Sequence, residues 1–320
     1  MKHSARVNVI VPSYRRPDTL ANCLTALGAQ EFRDFSVLCV CRADDESSRA
    51  CVADFVARDP RFTEVSVRES GVVAALNAGL LAAKAEFVAF TDDDAKAPPH
   101  WLQTIVDHFE AHPDCGAVGG PDRLQLPDFP ALANPTPAKR VGVYSWYGRM
   151  AATHHHPIVE PYLECASLKG VNMSFRRRLI SDVHIGVGLI GRACTVGWEQ
   201  GLCAAVRWQK KRLHFVRDAW VLHFCAPRTS NDSRVDLGSD FARDSAYNSA
   251  YVLWRFLSYT TAVRAQAWWL LVGSSKVPGI LRVLMAPARV TTSTRHWSAS
   301  LRGMRRGIGD RMKQPRPTGM

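Results

Sequence analysis

Residues 86–102 read EFVAFTDDDAKAPPHWL, and this stretch combines the features that decide the fold. Its apolar beginning, Glu86–Thr91, has the length and composition of a buried strand. Three consecutive aspartates follow the strand, and a helical pattern begins at Trp101 after two prolines. A strand that ends in polar residues and leads into a helix is the repeating unit of α/β proteins. The stretch therefore predicts a sheet covered by helices.

The same alternation extends through the first 120 residues. We expect strands at Val7–Val11, Phe35–Cys41, Phe62–Val67, Glu86–Thr91 and Cys115–Val118, and helices at Pro17–Ala29, Glu46–Arg58, Val72–Lys84 and Trp101–Ala111. Repeated units of this length imply a mostly parallel sheet with helices on both faces. Because crossover connections are right-handed, the predicted fold class is α/β with a doubly wound sheet.

The rest of the chain is less regular. We expect loops and short strands over Pro121–Pro161, a strand-like segment at Glu164–Phe175, a helix at Trp198–Lys211, strands near Leu213–Val216 and Ala219–Phe224, a polar linker at Arg228–Gly238, helices at Phe241–Tyr259 and Ala262–Val272, and a mobile stretch from Arg302 to Met320. This order predicts two parts, residues 1–228 and a helical extension over residues 229–320.

Composition limits the class of protein. An apolar content of 47% with 22% charged residues is ordinary for a globular chain of 320 residues and excludes disorder as a description of the whole. Nine cysteines without a C-x-x-C pair favour a reduced, cytosolic protein over a disulfide scaffold. The apolar stretch within Met1–Pro12 is too short for a signal-peptide core, and no apolar run is long enough to predict a membrane span.

Most of the net charge of +12 lies near the end of the chain. Ser245–Met320 contains twelve Lys or Arg residues and one acid, a net charge of +11, which leaves +1 for residues 1–244. Trp268 and Trp269 precede Lys276, Arg282 and Arg289, a mixture that suits a helix at an anionic membrane surface. A helix that packs on the first part with a solvated basic face is the alternative. We expect no nucleic-acid partner, because no nucleic-acid-binding module accompanies the charge.

The aspartate run is the clearest chemical feature. In a doubly wound sheet, ligands bind beyond the carboxyl ends of the strands, where Pro12–Arg16, Arg42–Asp45 and Thr91–Asp94 are all expected. Neighbouring carboxylates repel, and a hard divalent ion that also binds phosphate oxygens relieves the repulsion. Because side chains alternate along an extended backbone, Asp92 and Asp94 share one side and Asp93 faces elsewhere. A solvated acidic turn is the alternative.

A set of motifs resembles the family-2 glycosyltransferases with the GT-A fold, of the bacterial rhamnosyl and glucosyl type that act in surface polysaccharide synthesis. The motifs occur in the family's order across residues 6–225, at Val7–Leu20, Gly71–Leu80, Glu86–Leu102, Cys115–Pro121, Lys169–Arg177 and Trp198–Cys203, which leads to His223. The resemblance implies a GT-A domain over residues 1–228, with a nucleotide-sugar-binding half at 1–120 and an acceptor-binding half at 121–228. The basic extension at 229–320 lies outside it.

The resemblance also implies roles for single residues. Nucleotide-sugar binding is implied for Pro12, Tyr14, Arg16, Asp44, Asp45, Asn77, Asp92, Asp93 and Asn172. In this reading, the loop with Tyr14 borders the nucleotide base, and Asp44 or Asp45 accepts a hydrogen bond from the base. Asn172 would touch the donor sugar or the acceptor, with a turn-forming Asn as the alternative.

The same resemblance implies a metal site and a base. Asp94, Asp92 and His223 would ligate Mn²⁺ or Mg²⁺, which acts as a Lewis acid for the leaving nucleoside diphosphate. Glu199 matches the general base, and its expected position in the first turn of a helix favours the ionised form. The alternatives are a plain first-turn acid for Glu199 and a structural role for His223.

Some positions depart from the family's pattern. Leu76 replaces an Arg that would contact the diphosphate, and Trp198 and Gly201 replace acids near the base. Glu160 and Glu164 are other carboxylates nearby in sequence. The consecutive histidines His154–His156 are expected to form a loop, since neighbouring histidines do not converge easily on one ion.

We therefore expect an inverting, metal-assisted transferase at the cytoplasmic face of the cell membrane. Its partners would be a UDP-, dTDP- or GDP-sugar and a glycan or lipid-linked acceptor. A metal-dependent phosphatase or nucleotidyltransferase is one alternative, although phosphatases of the D-x-D type carry that motif after the first strand and this run follows the fourth. A non-catalytic binding protein that keeps the GT-A fold is the other, since a fold alone does not establish an activity.

Overall fold

The computed structural model describes residues 5–125, 135–191, 196–225, 238–274, 278–285 and 290–313. The chain divides into two compact units. The first comprises Met1–Val143, Ala152–Ile185 and Leu202–Pro227, and the second comprises Tyr144–Ala151, Gly186–Gly201 and Arg228–Met320. The predicted boundary between residues 228 and 229 lies outside the described residues, as do Arg228–Leu237 of the predicted linker and Lys276 and Arg289 of the basic stretch.

The described strands and helices follow the predicted alternation. The strands are β1 (Val7–Ser13), β2 (Phe35–Arg42), β3 (Phe62–Val67), β4 (Phe87–Thr91), β5 (Ala95–Lys96), β6 (Cys115–Gly119), β7 (Asp122–Leu124), β8 (Tyr162–Cys165), β9 (Asn172–Arg176), β10 (Arg212–Val216) and β11 (Val221–His223). The helices are α1 (Pro17–Gly28), α2 (Glu46–Arg58), α3 (Val72–Ala82), α4 (Trp101–Ala111), α5 (Trp198–Trp208), α6 (Ser239–Phe256), α7 (Tyr259–Leu271), α8 (Ile280–Leu284) and α9 (Val290–Met312).

Eight strands form the main sheet in the order β3-β2-β1-β4-β9-β6-β10-β8. Strands β3, β2, β1 and β4 are parallel, and β10 is parallel to β6. Strand β9 is antiparallel to both of its neighbours, and β8 is antiparallel at the edge. The predicted α/β class with a mostly parallel sheet is confirmed.

The prediction of one strand-like segment at Glu164–Phe175 is wrong. Cys165 ends β8 and Asn172 begins β9, and these two strands are not neighbours in the sheet. Between them the backbone turns, and the amide of Asn172 donates a hydrogen bond to the carbonyl oxygen of Lys169 at 2.9 Å. The polar and apolar alternation was correct on each side, but it does not reveal where a strand leaves one position in a sheet and enters another.

Burial of the central strands holds in place the polar residues at their carboxyl ends. All five residues of β4 are buried, and β1 is buried except for Pro12. Helix α4 covers the strands with an apolar face that includes Trp101, Ile105 and Phe109, each with no exposed side-chain surface. Burying a large apolar side chain stabilises a fold by about 1.5–3 kcal/mol. The strands are therefore held firmly where their carboxyl ends carry polar residues.

A small sheet of order β5-β11-β7 lies in the same unit. Its first strand, Ala95–Lys96, follows the aspartate run directly, and its middle strand ends at His223. In the antiparallel register His223 is opposite Ala95, while it lies beside Leu124 in the parallel pairing with β7. This sheet joins segments that are far apart in sequence.

The second unit contains α6 to α9. The helix predicted at Phe241–Tyr259 ends earlier, because Ser258 caps α7 and accepts a hydrogen bond from the amide of Thr261 at 3.3 Å. Among the helices in the described residues, none combines the length and the apolar composition that crossing a bilayer requires.

The prediction that the chain is mobile from Arg302 onward is wrong for Arg302–Met312, which belong to α9. Gly303 and Gly307 let α9 approach α6 closely. A Cβ atom on Gly303 would lie 2.1 Å from the carbonyl oxygen of Arg243, and one on Gly307 would lie 2.4 Å from that of Tyr247. Glycines reduce helix propensity, but Gly303 and Gly307 allow the close tertiary packing that stabilises this helix.

Candidate functional site

The aspartate run lies at the carboxyl end of β4, between that strand and β5. Asp92, Asp94 and His223 each offer a ligand atom, and the three atoms lie within 4.8 Å of one another. Asp93, between the two, is buried, but the backbone here is not extended as expected: Asp92–Ala95 form a turn in which the amide of Ala95 donates a hydrogen bond to the carbonyl oxygen of Asp92 at 3.1 Å. The structure thus brings together the three residues that the sequence assigned to a metal.

His223 lies between two carboxylates. Its Nε2 is 3.5 Å from Oδ1 of Asp94, and its Nδ1 is 3.4 Å from Oδ2 of Asp122. A histidine whose second ring nitrogen meets a carboxylate is held in one orientation, which is the arrangement of many metal-binding histidines. Asp122 therefore orients the ring so that Nε2 faces the aspartate run.

Asp122 and Lys169 were missed by the sequence analysis as site residues. The carboxylate of Asp122 is buried, and it forms an ion pair with the ammonium group of Lys169. Burial raises the pKa of Asp122, but hydrogen bonds from His223 and the charge of Lys169 outweigh it, so the pKa is lowered overall. The sequence did contain an indication of this residue, because Asp122 follows a fully buried strand, β6, at the edge of the sheet where ligands bind.

Arg16 links the first strand to the aspartate run. Its guanidinium group donates to the carboxylate of Asp93, and its second NH group is 3.2 Å from Oδ2 of Asp94. The hydroxyl of Ser13 also donates to Asp93, at 2.7 Å. Burial raises the pKa of Asp93 to about 7, even though Arg16 and Ser13 favour the ionised form. Asp93 thus anchors Arg16, and Arg16 brings positive charge to Asp94.

Tyr14, Arg42 and Asp44 form a second group at the same edge. The guanidinium carbon of Arg42 lies 3.9 Å from the centre of the Tyr14 ring, and Arg42 forms an ion pair with the exposed Asp44. An open pocket of about 630 Å³ is lined here by Arg42, Ala43, Asp44, Arg68 and Ser70. The pocket offers an aromatic neighbour, cations and one carboxylate to a ligand.

Asp45, by contrast, is an N-cap. It is buried, and its carboxylate accepts hydrogen bonds from the amide of Ser48 at 3.1 Å and from the amide of Arg15. Burial raises the pKa of Asp45, but these hydrogen bonds lower it overall. The arrangement holds the loop after β1 against the start of α2. Of the two adjacent aspartates, Asp44 is the one with an exposed carboxylate.

The two predicted asparagines are hydrogen-bonded within the first unit. The amide of Asn77 donates to the carbonyl oxygen of Ile185 at 3.0 Å and accepts from its backbone N–H at 2.8 Å. Asn172 accepts from the indole of Trp101 at 3.1 Å and donates to the carbonyl oxygen of Ala219 at 2.7 Å. Each side chain ties distant segments together, and a role in nucleotide-sugar binding stays a prediction for both.

Glu199 lies in the first turn of α5 and belongs to the second unit. Its role as a base stays a prediction. Glu164 is exposed on β8, where its carboxylate is 4.0 Å from Arg212. His154 and His155 lie in a turn, and the ring of His154 is 2.9 Å from the carbonyl oxygen of Ser167.

The chain is similar to known glycosyltransferases in sequence. Residues 8–150 match the family model for glycosyl transferase family 2. A glucosyl-dolichyl phosphate glucuronosyltransferase of Haloferax volcanii is 26% identical over 185 residues, which are 57% of this chain and 55% of that protein. An uncharacterized glycosyltransferase of Nostoc sp. is 28% identical over 114 residues, 35% of each chain. The chain thus spans about half of the first relative and about a third of the second.

Solved structures share the fold. A mannosyltransferase from Pyrobaculum calidifontis, in complex with GDP-Man and Mn²⁺, is 19% identical with a TM-score of 0.56, over 97% of this chain and 87% of that one. TarS of S. aureus, in complex with UDP-GlcNAc, is 13% identical with a TM-score of 0.60, over 96% of this chain and 92% of that one. These similarities establish the GT-A fold, in agreement with the prediction.

Proposed function

We propose that this protein, whose residues 8–150 match the family model for glycosyl transferase family 2, transfers a sugar from a nucleoside-diphosphate sugar to a hydroxyl group of a glycan or lipid-linked acceptor. The observation that carries the proposal is the convergence of Asp92, Asp94 and His223 at the carboxyl end of β4. Ligands of α/β sheets bind at this edge, and its donor groups suit a metal-bound diphosphate.

The donor set fits Mn²⁺ or Mg²⁺. Two carboxylates supply the hard oxygen ligands that both ions prefer, and the imidazole of His223 favours Mn²⁺ of the two. A bound ion would neutralise the charge that develops on the leaving nucleoside diphosphate. The similar mannosyltransferase in complex with GDP-Man and Mn²⁺ supports this assignment.

The chain's own residues would orient the donor. Asp122 holds the ring of His223, and Arg16 brings a cation beside Asp94 that can face a phosphate oxygen. The pocket beside Arg42 suits a nucleotide base, because Asp44 offers a hydrogen-bond acceptor and the guanidinium group of Arg42, which rests on the Tyr14 ring, offers a planar cation. Donors with different bases would be distinguished here.

We propose an inverting mechanism with Glu199 as the general base. In a single displacement, the carboxylate takes the proton of the acceptor hydroxyl while the hydroxyl oxygen forms the new bond to the anomeric carbon. The nucleoside diphosphate leaves from the opposite face with the bonding electron pair. The assignment rests on the motif and on the first turn of α5, where the helix dipole stabilises a carboxylate.

The donor can be identified by thermal stabilisation of the whole protein. We expect one class among UDP-, dTDP- and GDP-sugars to raise the melting temperature with Mn²⁺, and to do so much less after chelation. The Asp94→Asn variant should lose the Mn²⁺-dependent increase in melting temperature. The Asp54→Asn variant, which changes an exposed acid on α2, should keep it. Failure of every sugar nucleotide to stabilise the protein would favour a non-catalytic protein, and release of phosphate from simple esters would favour a phosphatase.

The base is tested once donor and acceptor are known. Glu199→Gln keeps the shape of the side chain but removes the acceptor for the proton, so we expect a loss of about 10²–10⁴-fold in kcat with donor affinity unchanged. Raising the pH should not restore the rate. Full turnover in this variant would assign the base to another carboxylate and refute the role of Glu199.

We further propose that the second unit holds the enzyme at an anionic membrane surface. Helices α7 and α8 expose Leu271, Leu281 and Leu284, and Met285, the C-cap of α8, has 83% of its surface accessible. Arg264 and Arg282 lie on the same two helices and are also exposed. Apolar side chains among cations suit the interface of an anionic bilayer.

Flotation with vesicles tests this location. The wild-type chain should float with vesicles that contain anionic phosphatidylserine and much less with neutral ones, and high salt should weaken its binding. Replacing Leu281, Leu284 and Met285 with Ser should reduce flotation. Leu81→Ser is the matched control, because Leu81 is an exposed leucine of the first unit. Equal flotation of both variants would refute a role for α8.

A further inference from the structure

A cluster of histidines lies at the end of β6 opposite the aspartate run. His108 and His112 lie at the end of α4, Cys115 begins β6, and His214 lies in β10. The spacing H-x3-H-x2-C brings the first three donors together locally, since residues four apart share one face of a helix. The fourth donor comes from a strand about 100 residues later that pairs in parallel with β6. We call these four residues the histidine cluster.

The donor atoms of this cluster already converge. Ligand atoms of His108, Cys115 and His214 lie within 4.8 Å of one another, and Nε2 of His108 is 2.8 Å from Nδ1 of His214. The ring of His112 is 4.4 Å from that of His108 and 5.4 Å from that of His214, measured between ring centres. All four residues belong to the first unit.

We propose that His108, Cys115 and His214, with His112 as the fourth ligand, bind a transition-metal ion of the zinc class. Three imidazoles and one thiolate form a donor set that zinc accepts in four-coordinate sites. Metal–ligand bonds of about 2.0–2.3 Å separate tetrahedral ligands by roughly 3.3–3.8 Å. Binding would therefore move the two hydrogen-bonded imidazoles apart by about half an ångström and turn His112 inward.

The chemistry of the donors separates this site from the aspartate run. Imidazole and thiolate suit zinc and its neighbours, whereas Mg²⁺ and Mn²⁺ prefer the oxygen ligands of Asp92 and Asp94. The two groups also serve different segments. The histidine cluster joins the end of α4 to β6 and β10, so an ion there would act as a structural cross-link.

Burial favours the neutral, metal-binding form of the imidazoles of His108 and His214. Burial, followed by the neighbouring His112 and His214, lowers the pKa of His108 to about 4, so its ring is neutral and keeps a lone pair at pH 7. Burial also lowers the pKa of His214. Burial raises the pKa of Cys115 to about 12, so binding must release the thiol proton to solvent as the metal–sulfur bond forms.

The competing explanation is a metal-free aromatic cluster. Tyr162 of β8 stacks on His214 with ring centres 4.5 Å apart, and it meets His108 and His112 edge to face. Such contacts stabilise the edge of a sheet without any ion. They do not require a thiol beside the imidazoles, however, and Cys115 is completely buried against them.

Cobalt and zinc titrations of the whole protein separate the two explanations. Chelator-treated protein is titrated with Zn²⁺ in excess Mg²⁺, in the Asp94→Asn background, so that the aspartate run does not contribute. We expect one equivalent to bind and to raise the melting temperature. Co²⁺ in place of Zn²⁺ should produce the charge-transfer absorption of a cobalt–thiolate bond.

Variants identify the ligands. Cys115→Ser should abolish the cobalt–thiolate absorption, and His108→Ala should weaken Zn²⁺ binding by at least about 100-fold. The matched controls are Cys165→Ser, a buried thiol on the other side of β10, and His100→Ala, before the first turn of α4. Both should bind as the wild type does.

Absence of cobalt–thiolate absorption in the wild-type chain would overturn the proposal, whether or not the variants fold. Equal loss of absorption in Cys115→Ser and Cys165→Ser would also overturn it. His112→Ala, on the half-buried side of the cluster, offers a substitution with little risk to folding. If this variant alone binds Zn²⁺ as tightly as the wild type, the fourth ligand is not His112, and that part of the proposal fails.

Discussion

Two groups of side chains that could bind metal ions lie at opposite ends of β6, and they differ in chemistry. The acidic edge, defined as Asp92, Asp94, Asp122 and His223, follows the carboxyl ends of β4 and β6, and the cations Arg16 and Lys169 contact it. In the histidine cluster at the other end of β6, burial lowers the pKa of His108 to about 4 and raises the pKa of Cys115 to about 12, so these two donors are neutral at pH 7. The same sheet thus offers carboxylate ligands at the end where ligands are expected to bind, and imidazole and thiol ligands at the opposite end of β6.

The difference shows what each group can do. Carboxylates beside cations can hold a hard ion while a diphosphate enters, since opposite charges lie on both sides of the ligand. The histidine cluster offers imidazoles and a thiol instead, and an ion held by four protein ligands would stay with the protein.

The Asp94→Asn substitution should affect the acidic edge without affecting the histidine cluster. Removing one charged ligand at the reacting end should lower the transfer rate by about 10³-fold, or about 4 kcal/mol of transition-state stabilisation. Zinc content, measured by atomic absorption on the purified variant, should equal that of the wild type. Simultaneous loss of zinc would show that the two groups are one coupled site.

The His108→Ala variant should have the opposite behaviour: it should lose zinc binding and keep donor binding. With Zn²⁺ at about 100 times its Kd, the wild type should gain about 2.7 kcal/mol of stability, and the variant should gain almost none. Denaturant unfolding with and without Zn²⁺ measures the gain. Donor-dependent stabilisation by Mn²⁺ should be unchanged, and its loss would contradict independent sites.

Asp122→Asn tests the orientation of His223. The amide keeps the volume of the side chain but removes the negative charge beside Nδ1. We expect Mn²⁺ affinity to fall by about 10–100-fold, measured as the Mn²⁺ concentration for half-maximal activity. Asp218→Asn, an exposed acid that pairs with Arg217, is the control. Unchanged affinity in Asp122→Asn would remove Asp122 from the acidic edge as an orienting residue.

Asp93, within the aspartate run, and His108, of the histidine cluster, should have opposite effects on the pH dependence of stability in metal-free protein. The folded pKa of Asp93 is raised to about 7, so between about pH 4 and 7 the folded state binds more protons and Asp93 lowers stability as the pH rises. The folded pKa of His108 is lowered to about 4, so the unfolded state binds more protons below about pH 6.5 and His108 lowers stability as the pH falls.

Each group changes stability by at most about 1.4 kcal/mol per pH unit. Asp93→Asn should therefore leave a stability that rises more steeply from pH 4 to 6.5, and His108→Ala should leave one that rises less. Urea unfolding across this range, in the presence of chelator, measures both slopes. Parallel curves for the two variants would contradict the assigned shifts.

Much of the fold was predictable from local pattern. The bounds of α2, β3 and α4 agree with the prediction, and the α/β class followed from the alternation of apolar periods of two and 3.6 residues. The predictions for two segments, Glu164–Phe175 and Arg302–Met312, were wrong for the same reason. Their conformation depends on partners elsewhere in the chain, such as β10 beside β8 and α6 beneath Gly303 and Gly307.

The candidate site was predictable where it is local. Three aspartates after a buried strand are visible in any reading of the sequence, and so is their relation to the carboxyl end of a sheet. The position of Asp122 after β6 was a local signal that the prediction did not use, but its contact with His223 spans 101 residues and could not be read from local pattern. Three members of the histidine cluster, His108, His112 and Cys115, are close in sequence. The contact between His108 and His214, however, spans 106 residues.

Local pattern in the sequence is enough to give the strand–helix alternation of the first 120 residues, the position of Asp92–Asp94 after β4, and the concentration of basic charge near the end of the chain. The position of β9 between β4 and β6, the contact of His223 with Asp122, and the convergence of His108, Cys115 and His214 follow from tertiary packing. The physical reason is range. Periodicity records which face of each element is apolar, whereas strand order and packing decide which faces and ends meet.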